Sequence, residues 1–108
     1  MTEYDELIER IKKFNKERDW EQFHSPENLA KSISIEAGEL LECFQWEPKK
    51  YNLEEVNDEI ADIYIYLLDL ANKLGVDLID IANKKMNKNE EKYPVGKCKG
   101  KADKYDKL

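Results

Sequence analysis

The sequence predicts an all-α fold, a four-helix bundle-like protomer that self-associates, and three observations carry that expectation. Apolar residues recur at helical spacing in four segments, and no stretch alternates with period two. Cap residues, glycine or proline bracket those segments. The composition is 39% charged with four glycines in 108 residues, which suits long helices better than a sheet.

The first helix is expected from Tyr4 to Arg18, with Leu7, Ile8, Ile11 and Phe14 at helical spacing, ending near Asp19 and Trp20. Ser25 and Pro26 form an N-cap and first-turn pair. The helix they open runs toward Trp46 and must stop before Pro48. Asn52, with Glu55 three residues on, resembles a capping box for a third helix, which ends at Gly75. Asp77 caps a fourth, through Ile79, Ile81, Ala82 and Met86 to about Lys92, before Pro94. The third helix is apolar on more than one side, because Ile60, Ile63, Tyr64, Ile65, Leu67, Leu68 and Leu70 cannot all face one small core. It is therefore expected in the interface of a homo-oligomer. Residues 1–94 make one helical domain, and the Lys-rich tail, 95–108, lacks apolar periodicity and is expected to be mobile or docked on a neighbouring subunit.

A formal net charge of −6 opposes binding of duplex nucleic acid, whose phosphates it would repel. Free nucleotides stay open, since a bound metal inverts the local sign. The opening Met1-Thr-Glu-Tyr-Asp-Glu is no secretory leader, and no apolar run approaches a membrane span, so a cytoplasmic protein without membrane attachment is expected. Cys43 and Cys98 lack metal-knuckle spacing, and Cys43 reads as a small buried apolar residue.

The chemistry is carried by two acidic repeats, Glu36-Ala-Gly-Glu39 and Glu59-Ile-Ala-Asp62. At about 100° per residue, Glu36 falls at the edge of the stripe formed by Leu29, Ile33, Leu40 and Phe44. Glu59 stands likewise beside the stripe of Val56, Ile63, Leu67, Leu70 and Leu74. Glu39 and Asp62, three residues on, share those faces. Four converging carboxylates need cations, because an unpartnered buried charge costs several kcal/mol or is neutralised. Protein cations are scarce: Lys31 is the one Lys or Arg between Arg18 and Lys49, and none occurs from Tyr51 to Asn72. An all-oxygen donor set suits Mg²⁺, or Mn²⁺, better than zinc or copper, and Mg²⁺ in turn points to phosphoryl chemistry. Glu42, Glu54, Glu55 and Asp58 lie farther round and are expected to face solvent, with Glu42 and Asp58 alternatively supporting the cage from behind its ligands.

Around this cage, Arg18-Asp19-Trp20-Glu21-Gln22-Phe23-His24 places two large aromatics and the sole histidine in a loop. They either staple the next helix or offer a stacking surface to a nucleobase, and the residues alone leave both open. Trp46 ends the first acidic helix, Tyr66 follows Asp62 by one turn, and Lys85, Asn89 and Lys92 recur at near-helical spacing before Tyr93-Pro94. Those lysines are either a solvated face or positive charge for a phosphate chain.

Taken together, these motifs resemble the MazG-like all-α nucleoside triphosphate pyrophosphohydrolases, and within them the dCTP pyrophosphatase branch. The resemblance runs from Leu7 to Pro94, through the Arg18–His24 loop, Glu36 to Trp46, Asp62-Ile-Tyr-Ile-Tyr66 and Lys85-Met86 to Tyr93-Pro94. It implies Mg²⁺-dependent hydrolysis of a (d)NTP, dCTP or a related dNTP, to the monophosphate and pyrophosphate, as nucleotide-pool house-cleaning. By the same resemblance, Glu36, Glu39, Glu59 and Asp62 would be metal-binding and catalytic. Trp20, Trp46 and Tyr66 would shape the base and sugar pocket, Lys85, Asn89 and Lys92 would approach the phosphates, and His24 and Tyr93 would add substrate contacts. A homodimer or homotetramer is implied, with pockets completed across subunits. Two rival readings are a redox carboxylate bundle, which normally needs Glu-x-x-His pairs that are missing here, and a non-catalytic helical nucleotide-binding or interaction module.

Overall fold

The computed structural model describes residues 1–46, 49–102 and 105–107. Helices dominate and no strand occurs among the described residues, so the all-α expectation holds. The chain divides into two compact units, Met1–Val76 and Asp77–Leu108.

The first unit contains α1 (Glu3–Glu17), α2 (Pro26–Glu42) and α3 (Leu53–Leu74). A capping box starts α1: Thr2 Oγ1 accepts from the Asp5 amide at 3.1 Å, and Asp5 Oδ2 accepts from the Thr2 amide at 3.2 Å. Beyond α1, Asp19 takes a left-handed φ of 53°, a conformation Asp tolerates better than most residues, and a short 3₁₀ turn, Glu21–Phe23, follows. Ser25 Oγ caps α2 by accepting from the Asn28 amide at 3.1 Å, with Pro26 in the first turn as expected. The end of α2 differs from expectation. It stops at Glu42 rather than near Trp46, as the amides of Phe44 and Gln45 tighten onto the carbonyls of Leu41 and Glu42. These three-residue bonds consume the last orphan acceptors and close the helix early. Asn52 Oδ1 caps α3 through the Glu55 amide at 3.2 Å, and Gly75 ends it at φ 71°.

α3 packs against α2 and against α1. Its buried positions, Val56, Leu68, Asp69 and Ala71, meet Ile11 and Asn15 of α1 and Leu29 of α2 in a small core; Leu29 and Leu68 are fully buried. Several expected core positions are only half-buried, namely Ile33, Leu40, Cys43, Phe44, Ile63, Leu67 and Leu70, and Leu74 is exposed at the helix end. Ile35, Leu41, Leu53, Ile60 and Tyr64 stay exposed on α2 and α3. A helix apolar nearly all round has more surface than α1 and α2 can cover.

The second unit holds α4 (Leu78–Lys92), capped by Asp77 Oδ1 on the Asp80 amide at 3.0 Å, and the four-residue α5 (Val95–Cys98). The sequence offered no helical period at α5; its hydrogen bonds start from the Pro94 carbonyl, which accepts from Lys97 and Cys98. Among the described residues no helix is long and apolar enough to cross a membrane.

Candidate metal centre and adjoining cavity

Glu36 stands in the middle of α2, and Glu59 and Asp62 lie one turn apart on α3, so the packing of these helices brings the two repeats together. One carboxylate oxygen from each of the three lies within 4.8 Å of the others. Glu36 and Glu59 are half-buried and Asp62 is exposed. Glu36 Oε2 and Glu59 Oε2 are shielded from solvent and have no hydrogen-bond partner. Leaving one buried acceptor unsatisfied costs about 1–3 kcal/mol, so two in one cluster want an explanation.

The electrostatics point the same way. Desolvation, the carboxylates of Glu59 and Glu39 and their charges together raise the Glu36 pKa from 4.5 to about 7. Every one of these influences opposes ionisation of Glu36. Glu39 is exposed on the same turn of α2 and acts on Glu36 without belonging to the three-acid group. Ion pairs Lys12–Glu9, Lys31–Glu27 and Lys84–Asp80 each join neighbours on a single helix rather than serving this cluster. A divalent cation bound by these oxygens would satisfy both orphan acceptors and relieve the repulsion, and an all-carboxylate set suits a hard ion. Glu42, Glu54, Glu55 and Asp58 are exposed, as expected for acids outside the site.

Next to the cluster opens a cavity of about 470 Å³, within the range of small-molecule sites. Glu36 and Asp62 form one wall. Leu7, Arg10, Ile11, Phe14 and Asn15 of α1, Trp20 and His24 of the loop, and Ile65, Tyr66 and Asp69 of α3 form the rest. Phe14 and Trp20 meet edge to face at 5.5 Å, and the Arg18 guanidinium lies 3.7 Å above the Phe14 ring, which fixes the aromatic wall. Burial, then the nearby charges of Glu36, Asp62 and Asp69, raise the Tyr66 pKa above its ordinary value.

Of the residues singled out from sequence, Glu36, Asp62, Trp20, His24 and Tyr66 come together at this cavity, with Glu59 in the acid cluster beside it. Trp46 is 84% exposed and is not part of the cavity wall. Lys85, Asn89 and Lys92 follow one another along α4 in the second unit, with the Tyr93 amide donating to the Asn89 carbonyl at 2.8 Å. The sequence reading missed Asn15 and Asp69. They are 7% and 9% exposed, and Asn15 Nδ2 donates to Asp69 Oδ1 at 2.9 Å. A signal was present: Asp69 is the one acid between Tyr64 and Ala71, and Asn15 follows Ile11 by one turn. A second cavity, of about 510 Å³, shares Asn15, His24 and Asp69 and is edged by Lys12, Lys13, Lys16 and Lys73.

Comparison with known proteins agrees with this architecture. The model of the MazG-like family matches residues 31–108, which include all four acids. The chain belongs to the MazG-like family. The dCTP pyrophosphatase 1 of Rattus norvegicus is 41% identical over 104 residues, covering 88% of this MazG-like chain and 61% of the rat protein. That of Homo sapiens is 38% identical, again over 88% of this chain and 61% of its own. The chain thus spans about three fifths of the length of these relatives. A crystal structure of a pyrophosphatase from Archaeoglobus fulgidus superposes with a TM-score of 0.82 at 41% identity, covering 87% of this chain and 94% of that one.

Proposed function

We propose that this MazG-like chain is a Mg²⁺-dependent nucleoside triphosphate pyrophosphohydrolase, converting dCTP or a related dNTP to the monophosphate and pyrophosphate in nucleotide-pool house-cleaning. The observation that carries this reading is the pair of orphan buried oxygens, on Glu36 and Glu59, beside an aromatic-walled cavity large enough for a nucleoside. The names of the relatives, pyrophosphatases acting in two cases on dCTP, support it.

In this reading Glu36, Glu39, Glu59 and Asp62 hold the metal, with Mn²⁺ an alternative to Mg²⁺. When bound, the ion offsets charge on the phosphate chain and acidifies a coordinated water. Hydrolysis forms a bond from the water oxygen to the α-phosphorus and breaks the bond from that phosphorus to the bridging oxygen, which leaves with pyrophosphate. Glu39, the exposed member, is placed in the role of taking the water's proton. Trp20 and Tyr66 flank the base and sugar, and His24 adds a polar contact. Trp46, Lys85, Asn89, Lys92 and Tyr93 join from the rest of the assembly. That assembly is a homodimer or homotetramer of domains spanning 1–94, its interface made by the exposed Ile35, Ile60 and Tyr64, with the tail docked on a neighbour. The expected compartment is the cytoplasm, where nucleotide pools reside.

The test is pyrophosphate release from each common dNTP, with Mg²⁺ and with Mn²⁺, by the wild-type chain and by Glu59→Gln. Release from at least one substrate, lost in the variant, is the expected result. Nucleotide binding without turnover would instead favour a non-catalytic module.

A further inference from the structure

The buried Asn15–Asp69 hydrogen bond ties α1 to α3, yet stability alone is a weak reason for it. A buried hydrogen bond adds about 1 kcal/mol net, whereas apolar side chains in the same places would extend a core of only a few buried residues. Both groups nevertheless border the cavity.

Their position along α3 is informative. Asp62, at the acid cluster, precedes Asp69 by seven residues, two turns on the same face, with Tyr66 between them. At 1.5 Å per residue the separation is about 10 Å along the axis, comparable to the span from the α-phosphorus of a nucleotide to the far edge of its pyrimidine. One end of the cavity therefore meets the cluster and the other meets the pair.

The hydrogen-bonding capacity left over is specific. An ionised carboxylate only accepts, so the amide of Asn15 must turn its nitrogen toward Asp69, as it does at 2.9 Å. That leaves Asp69 Oδ2 as an acceptor and the second N–H of Asn15 as a donor. Cytosine offers the complement, an exocyclic N4 amine that donates beside a ring N3 that accepts. Uracil and thymine invert both groups, setting a carbonyl oxygen against the carboxylate and an N–H against the amide.

We infer that Asn15 and Asp69 read the base edge, selecting a 4-aminopyrimidine over its 4-oxo counterpart. This rests on the cavity being the nucleotide site proposed above, but it does not require turnover. Burial raises the Asp69 pKa, while the Asn15 hydrogen bond and then His24, which also borders the cavity, act against that rise and toward the ionised acceptor.

The experiment is calorimetric titration of the full chain, with Mg²⁺, by dCMP and by dUMP, which differ at the 4-position and N3 alone. The wild type should bind dCMP about tenfold or more tightly over dUMP, the scale of one good base-edge contact. Asp69→Asn keeps an oxygen to accept from Asn15 but can present a donor to the base. It should shrink that ratio at least tenfold, and the kcat/KM ratio of dCTP to dUTP should fall in step. Equal binding of the two nucleotides by the wild type, or binding of neither, overturns the inference without any variant. So does a helical Asp69→Asn variant that keeps the wild-type ratio. A dCMP preference in a chain that hydrolyses no triphosphate would support base reading while ending the pyrophosphohydrolase proposal.

Discussion

Replacing Glu36 by glutamine should stabilise the metal-free protein, and the size and pH dependence of the gain follow from the acid cluster. The pKa of this carboxyl rises from 4.5 to about 7, chiefly by desolvation and then by Glu59 and Glu39. At full value such a shift opposes ionisation by about 3 kcal/mol. Solvent reaches part of the cluster, so about 1.5 kcal/mol is the working figure. Below pH 4.5 the folded and unfolded chains both hold the proton, and the full stability is present. Between there and about 7 the unfolded chain ionises freely while the folded one does not, so stability falls as pH rises and then levels off. Glu36→Gln removes that slope. In chelator at pH 8 it should melt about 6–12 °C above the wild type, using 4–8 °C per kcal/mol for a domain of this size, and near pH 4 the two should coincide. Thermal melts followed by circular dichroism at fixed ionic strength measure this. Added Mg²⁺ should then raise the wild-type midpoint and leave that of the variant nearly unchanged. A variant that melts below the wild type at pH 8, or a difference that does not depend on pH, would refute the reading of a mutually repelling carboxylate cluster.

Other perturbations reach the remaining parts of the structure. Glu59→Gln preserves shape but removes a charged oxygen from the cluster, and should lower pyrophosphate release by roughly a hundredfold or more while the helical signal persists. Leu68→Ala, at a fully buried position, should cost about 2–5 kcal/mol in denaturant titrations. Gly75→Ala meets no steric obstacle around a new Cβ, yet the backbone there has φ 71°, so a loss of about 1–2 kcal/mol is expected from conformation alone. Treatment with chelator should abolish turnover and Mg²⁺ should restore it, and activity that survives exhaustive chelation would remove the metal from the proposal.

Much of the fold is written locally. Ser25 with Pro26, Asn52, Gly75 and Asp77 mark helix ends through bonds formed within a few residues, and all of them act where the sequence places them. The acidic repeats were legible for the same reason, since Glu36, Glu59 and Asp62 stand at fixed angles to apolar stripes on their own helices. The end of α2 was not legible, because whether its last turn tightens at Cys43 depends on competing bond patterns that Pro48 bounds only from outside.

The sequence by itself thus determined the four main helices, most of their ends and which faces carry acid, because these depend on neighbours within a turn or so. Only the tertiary structure decided that Glu36 would meet Glu59 and Asp62, that Trp20, His24 and Tyr66 would enclose one cavity, and that Asn15 would bond Asp69 across fifty-four positions of chain. The physical reason is that contact between helices depends on how α1, α2 and α3 pack around Leu29 and Leu68, and that packing is a property of all three surfaces at once.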